Sequence, residues 1–267
     1  MLAQSLALTS SGWLLVSLLM TGLWLIHLRI KNAGLVDFGW ALGLALLALL
    51  YGRGAQGFLP RRLLITAMAM AWGLRLAFFL LFTRYLGREE EGRYRELRRR
   101  WQRHVGLKFF VFFQAQALLA VVLSLPFLLA CLNPAPRLTA LEWSAAGLWL
   151  AAFVGETTAD WQLHRFKSNP ENRGKTCRTG WWHYSRHPNY FFESLIWMAY
   201  ALFALASPLG WLALSAPLLM LLAIFKVTGI PATEAQALRS RGQDYREYQR
   251  TTSMFVPWLK KNLRPGL

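Results

Sequence analysis

Apolar runs recur along the whole chain, and short clusters of basic and polar residues punctuate them. The runs occupy residues 13–26, 35–51, 63–82, 109–130, 141–158, 194–206 and 211–227. Several approach the roughly 20 residues that a helix needs to cross a hydrocarbon core. Backbone polar groups inside lipid must be satisfied within the segment, so each run is expected as a helix. The pattern predicts an all-α polytopic membrane protein with seven transmembrane helices, the N-terminus outside and the C-terminus cytoplasmic. A single transmembrane domain is expected to span residues 1–267. Pro126, near one end of the fourth run, predicts a tolerated kink, and CLNPAPRLT after it a turn-rich connection.

The polar clusters differ in kind. GREEEGRYRELRRRWQRH interleaves acids and bases, and residues 89–104 can form an amphipathic helix with Glu/Arg pairs three and four apart. Such a run ordinarily faces water and headgroups; its arginines could also meet a phosphate-bearing ligand. After the fifth run, ADWQLHRFKSNPENRGKTCRTG is expected as a second cationic loop. The densest cluster is GWWHYSRHPNYFFE, residues 180–193, set at the entry to the sixth run. Polar groups so concentrated do not help a helix enter lipid, so a binding role at the membrane face is expected there.

Composition narrows the class. The chain is 55% hydrophobic with 13 Trp and 17 Phe, more than a soluble core of this length needs. A formal charge of +17 would suggest nucleic acid, yet the arginines sit at the ends of apolar runs, where anionic headgroups and the positive-inside rule require them. Residues 84–108 hold nine Lys and Arg, residues 163–188 hold six and residues from 226 onward hold eight, against Arg137 alone in residues 131–140. Seven spans place all three rich segments on the cytoplasmic side, with Arg53, Arg61 and Arg62 as the exception. The chain begins without a basic segment ahead of its first run, which reads as a retained span. Cys131 and Cys177 fall too far apart in this topology to predict a disulfide.

Several side chains point to chemistry. Asp37 opens the second run, and Arg75 stands in the middle of the third, where a guanidinium is costly unless it snorkels, is paired or faces a polar cavity. Asp160, with Arg165, Lys167, Arg173, Lys175 and Arg178 after it, offers an acceptor for a ribose or amide and several donors for phosphates. No Gly-x-Gly-x-x-Gly follows a predicted strand, so a nucleotide would have to bind in a cleft of helices and loops. Asn189 and Glu193 are four apart and share a helix face, suited to a carboxamide or to capping and an interhelical bond. His183 and His187 lack a compact cluster of His, Glu or Cys, so no metal site is expected.

SRHPNYFFE together with IPATEAQALRSRGQDYREYQRTTSMFVPW resembles the DUF1295 branch of the steroid 5-alpha-reductase and isoprenylcysteine methyltransferase superfamily. With VDFGW, AWGLR and REEEGRY the resemblance covers almost the whole chain, and residues 109–267 are the most family-like part. It implies a multi-span enzyme that uses NADPH to reduce the carbon–carbon double bond of a 3-oxo-delta-4 steroid or similar lipophilic enone. The expected home is a bacterial inner membrane, with the cofactor site facing the cytoplasm, a steroid-like substrate entering from the bilayer, no nucleic acid and no obligate protein partner. By resemblance Asp160, Arg178, Asn189 and Glu193 match positions that contact the cofactor, and Arg75 and Arg84 match arginines of the third span and its end. Lys167, His187, Tyr190, Glu234 and Tyr245 complete the expected cofactor set, Glu234 standing where the reductases carry a histidine-rich stretch.

Trp72 replaces the tyrosine held to polarise the substrate carbonyl, and Trp40 and Trp72 are expected to line the substrate. Asp37, kept protonated by membrane burial, is then the first candidate to stabilise the enolate oxygen that hydride addition creates, and Tyr85 the second. The same motifs also resemble methyltransferases that use S-adenosylmethionine on a lipid or prenylated thiol. A non-enzymatic sterol- or lipid-binding protein is the third alternative. The many basic residues favour a phosphorylated dinucleotide over S-adenosylmethionine, which has no phosphates.

Overall fold

The computed structural model describes residues 2–87, 89–90, 92–227 and 229–260. Arg88 and Glu91 of the charged segment, and Lys261 and Arg264 of the basic tail, lie outside the described residues. The fold is helical throughout: among the described residues the β pairing is one isolated bridge between Ser185 and Ser253. The chain divides into two compact units, residues 1–146 with 200–216, and residues 147–199 with 217–267.

In the first unit α1 (Leu2–Ile30), α2 (Leu35–Gly54) and α3 (Leu59–Leu80) are followed by a π-helical turn, Leu81–Tyr85. The short α4 (Gly92–Trp101) leads to α5 (Val105–Leu123) and α6 (Leu125–Leu132). Proline at the second position of α6 marks the break from α5, in line with the kink expected at Pro126. Small residues let α2 and α3 approach: a Cβ on Gly73 would lie 2.9 Å from the Ala41 carbonyl oxygen and 3.0 Å from the Ala45 methyl. An aromatic core fills the space beside them. The fully buried Trp72 meets Trp40 edge-on at 5.8 Å and Tyr200 at 6.4 Å, and Tyr200 meets Phe127 at 4.8 Å. The Tyr200 hydroxyl donates to the Met68 carbonyl at 3.3 Å.

At the start of α3, Arg61 is wholly buried and ion-paired with the equally buried Glu142. Its guanidinium also donates to the carbonyls of Asn133, Ala135 and Arg137, while Glu142 accepts from the Thr139 backbone N–H at 2.7 Å and hydroxyl at 3.0 Å. The sequence counted Arg61 among three basic residues on the wrong side of the charge pattern. Its charge is neutralised inside the fold, so it carries no weight in that pattern.

The second unit takes in most of α7 (Ala140–Ser168), the single turn α8 (Trp181–Tyr184), the first two thirds of α9 (Pro188–Leu205), most of α10 (Ser215–Leu222), a second π-helical turn (Ala223–Val227) and α11 (Ile230–Thr251). Helix α7 runs ten residues further than the apolar run predicts, because nothing between Ala159 and Ser168 breaks it. The stop comes at Asn169, whose side chain accepts from the Glu171 N–H, and at Pro170. The cationic loop therefore shrinks to residues 169–180, and Arg165 and Lys167 are helical. The helix expected over residues 89–104 is likewise shorter than predicted, Gly92–Trp101.

Among the described residues, five helical stretches are long and apolar enough to cross a bilayer: Leu2–Ile30, Leu35–Gly54, Leu59–Tyr85, Val105–Leu132 and Gly210–Thr251. The expected fifth and sixth spans fall on α7 and α9. Both form, but α7 carries Glu142, Glu156 and Asp160, and α9 opens on Asn189, Tyr190 and Glu193.

Candidate functional site

Residues 180–193 are shaped by two backbone devices. Gly180 has φ +59° and ψ −134°, and a Cβ there would lie 2.3 Å from the Gln162 amide. Only glycine fits that conformation in that space. The turn it opens is held by the Trp181 N–H donating to Gln162 Oε1 at 2.9 Å and the Trp182 indole donating to the Ala159 carbonyl at 2.9 Å. Pro188 then starts α9 with φ already set, leaving His187 just ahead of the helix. From α11 the Tyr248 hydroxyl bonds the carbonyls of Trp182 and Ser185, which fixes the motif against that helix.

The motif converges on one carboxylate. Glu234 Oε1 pairs with Arg186 Nε at 2.8 Å, lies 3.2 Å from His187 Nε2 and accepts from the Tyr245 hydroxyl at 3.4 Å. Glu234 Oε2 accepts from Gln249 Nε2 at 2.9 Å. The Tyr190 ring stacks on the buried His187 ring, 5.5 Å apart and 7° from parallel, and its hydroxyl lies 3.3 Å from Thr233 Oγ1. Four residues singled out in the sequence, His187, Tyr190, Glu234 and Tyr245, thus form one cluster. Sequence reasoning missed Arg186 and Gln249. Arg186 had a signal, since it lies inside the motif; Gln249 had none, because the kink at Gly242 (φ 53°) within α11 decides which residues turn inward.

Other predicted residues pair separately within the unit. Asn189 Nδ2 donates to Asp160 Oδ1 at 3.2 Å, and one turn on, Glu193 accepts from the Trp197 indole at 2.8 Å. Arg178 donates to the Asp244 carboxylate and carbonyl, both at 2.8 Å, and to Glu247 at 3.2 Å, which ties the loop to α11. A cavity of about 620 Å³ is lined by Lys167, Arg173, Lys175 and Arg241, by Thr233, Gln236, Ser240 and Cys177, and by the apolar Leu163, Phe166 and Ala237. Four cations with hydroxyl and amide donors form a set suited to phosphate oxygens. A second cavity of about 460 Å³, lined by Trp161, Gln162, Arg165 and Thr179, shares Phe166 and Asn172 with it.

The first unit holds Asp37, Tyr85, Arg75, Arg84, Trp40 and Trp72. Asp37 Oδ2 accepts from the Tyr85 hydroxyl at 2.7 Å and from Arg93, and Oδ1 from the Tyr94 hydroxyl at 2.8 Å. Gly34 makes room for this, since a Cβ there would lie 2.2 Å from the Tyr85 ring. Burial, with the Asp37 carboxylate beside it, pushes the Tyr94 phenol well above the ordinary tyrosine range, so it stays a donor. Glu90 closes the same corner, accepting from the Ala33 N–H at 2.8 Å and from both Arg98 Nε at 3.1 Å and Nη2 at 2.9 Å. Arg75 lies in mid α3 and Arg84 in the π-helical turn, each engaged with neighbours.

No solved structure matches the chain significantly. An uncharacterized protein of Schizosaccharomyces pombe is 30% identical over 230 residues, 75% of this chain and 66% of its own length. The chain therefore spans just under two thirds of that relative. The model of a family described as a protein of unknown function, DUF1295, matches residues 23–252, from within α1 to just past the end of α11. The chain belongs to the DUF1295 family.

Proposed function

We propose that the protein is an NADPH-dependent membrane reductase acting on the carbon–carbon double bond of a 3-oxo-delta-4 steroid or a similar lipophilic enone. The observation that carries this is the cationic cavity, because a phosphate-rich cofactor needs it and S-adenosylmethionine does not. Lys167, Arg173, Lys175 and Arg241 would hold the phosphates. Thr233 lines that cavity and lies against Tyr190, which links it to the His187–Glu234 cluster. The Asp160–Asn189 pair and Glu193 present the amide, donor and acceptor groups that orient a carboxamide.

NADPH, when bound, supplies a hydride to the beta carbon. The protein's part is to hydrogen-bond the developing enolate oxygen until a proton reaches the alpha carbon. Asp37 and, after it, Tyr85 stay the candidates for that hydrogen bond, the Tyr85 hydroxyl donating to Asp37 at 2.7 Å. The apolar helices would admit a substrate from the bilayer. Seven spans, with the three segments rich in Lys and Arg on the cytoplasmic face, would put the phosphate cavity where cytosolic NADPH is available.

The test is NADPH oxidation by detergent-purified protein offered a 3-oxo-delta-4 steroid, with product mass and an Asn189→Ala control. A gain of two hydrogens that the control loses supports the reductase. NADPH binding without oxidation would move the substrate to other enones or to binding alone, and retention of S-adenosylmethionine without NADPH would overturn the proposal.

A further inference from the structure

The described residues beyond α11 stay with the fold. Residues 252–260 return along the GWWHYSRHPNYFFE motif: the Arg186 N–H donates to the Ser253 carbonyl at 2.9 Å, the Ser185 hydroxyl to the Phe255 carbonyl at 2.7 Å, and the Trp258 N–H to the Tyr184 carbonyl at 3.0 Å. Burial in this strap alternates residue by residue. Ser253, Phe255 and Pro257 turn inward, whereas Met254, Val256 and Trp258 are exposed, Trp258 by 71% and the following Leu259 by 74%. A soluble surface has no reason to present three apolar side chains in strict alternation and then a fourth.

The inward residues say where this apolar edge lies. Phe255 packs on Phe225 at 4.8 Å and on Phe191 at 5.7 Å. Phe225 belongs to the π-helical turn Ala223–Val227, where the last apolar run ends and the polar α11 follows. The strap is therefore level with the point at which the apolar run 211–227 gives way to the polar α11. Lys226 stands in that turn and Lys260 at the end of the strap, both placed for anionic headgroups. An indole among aliphatic side chains with a lysine next to it is the combination that settles at a membrane–water boundary.

We propose that residues 252–260 form an interfacial strap that lays Met254, Val256, Trp258 and Leu259 into the boundary between lipid headgroups and acyl chains. Its occupant is the bilayer itself. Because the strap is hydrogen-bonded to residues 184–186, it fixes the depth of Arg186 and His187 relative to the headgroups. The proposal is independent of which reaction, if any, the protein catalyses.

Spin labels at Met254→Cys, Val256→Cys and Trp258→Cys, one at a time in a Cys131→Ser, Cys177→Ser background, test it. The full chain is reconstituted in phosphatidylcholine–phosphatidylglycerol liposomes, with Ser240→Cys on α11 as the water-facing reference. The expected result is collision with oxygen in excess of collision with a water-soluble nickel chelate at the three strap positions, and the reverse at position 240. Nickel accessibility at the strap equal to that at position 240 would overturn the proposal, and so would labels shielded from both reagents, which would mean that protein covers the edge. Each position reads independently, so one variant that loses its helical circular dichroism leaves the others to decide.

Discussion

His187 Nε2 lies 3.2 Å from Glu234 Oε1 across 47 residues of chain, and the same carboxylate pairs with Arg186. Glu234 is thus the tie between the polar motif ahead of α9 and the first turns of α11. A carboxylate receiving this many groups sets their positions as well as their charge.

Glu234→Gln is expected to leave Arg186 without its counter-charge and to loosen His187 and Tyr245. The loss is about 1–3 kcal/mol, the range for removing a charged hydrogen-bond partner. NADPH affinity measured by titration calorimetry should fall by about tenfold or more. Unchanged affinity and thermal stability would show that the cluster is neither a binding element nor a structural tie.

Asp37→Asn should reduce turnover by about a hundredfold, the scale of a single acid–base contribution, while NADPH affinity stays as in the parent protein. Tyr94→Phe removes one donor and leaves Tyr85 in place, so its effect should be nearer tenfold. Undiminished turnover of the Asp37 variant, with cofactor binding intact, would remove Asp37 and its grip on Tyr85 from the chemistry.

Lys175→Ala combined with Arg241→Ala should raise the KM for NADPH by about tenfold or more, and the penalty should shrink as salt screens the wild-type cavity. Steady-state kinetics across ionic strength would show it. A KM that stays put would place the phosphates elsewhere.

Arg61→Met should cost about 3–5 kcal/mol, because it leaves the buried Glu142 charge without its partner. The protein would then accumulate poorly or unfold early in detergent. Adding Glu142→Met should recover most of the loss, since two apolar side chains avoid the uncompensated charge. Failure of the double variant to recover would assign the damage to the carbonyls of Asn133, Ala135 and Arg137 instead.

The helices were legible because lipid leaves the backbone few options: runs as plain as residues 109–130 and 211–227 announce themselves. Helix ends were harder. Residues 159–168 carry charge and looked like loop, yet nothing in them stops a helix until Asn169 and Pro170. The grouping of His187, Tyr190, Glu234 and Tyr245 was half legible, as two motifs of matching character but unknown register. Their meeting depends on the glycine backbones at Gly180 and Gly242 and on Tyr248 bridging two carbonyls, which no periodicity encodes. Arg61 shows the converse. Charge counting saw a misplaced surface arginine, because the partner, Glu142, is 81 residues away.

The π-helical turn Leu81–Tyr85 makes the chain tolerant of a one-residue deletion at one spot. A π turn is an α-helix with one residue too many, so deleting a single residue there should heal the helix. Backbone hydrogen bonding would improve. The wide turn already absorbs the surplus residue, so the chain beyond the cut would face nearly the same way and Tyr85 would still reach Asp37. The same cut one turn earlier, in regular α-helix, would instead rotate Tyr85 by about 100° and break its hydrogen bond to Asp37, so the surplus residue marks where this helix can change length without losing that contact.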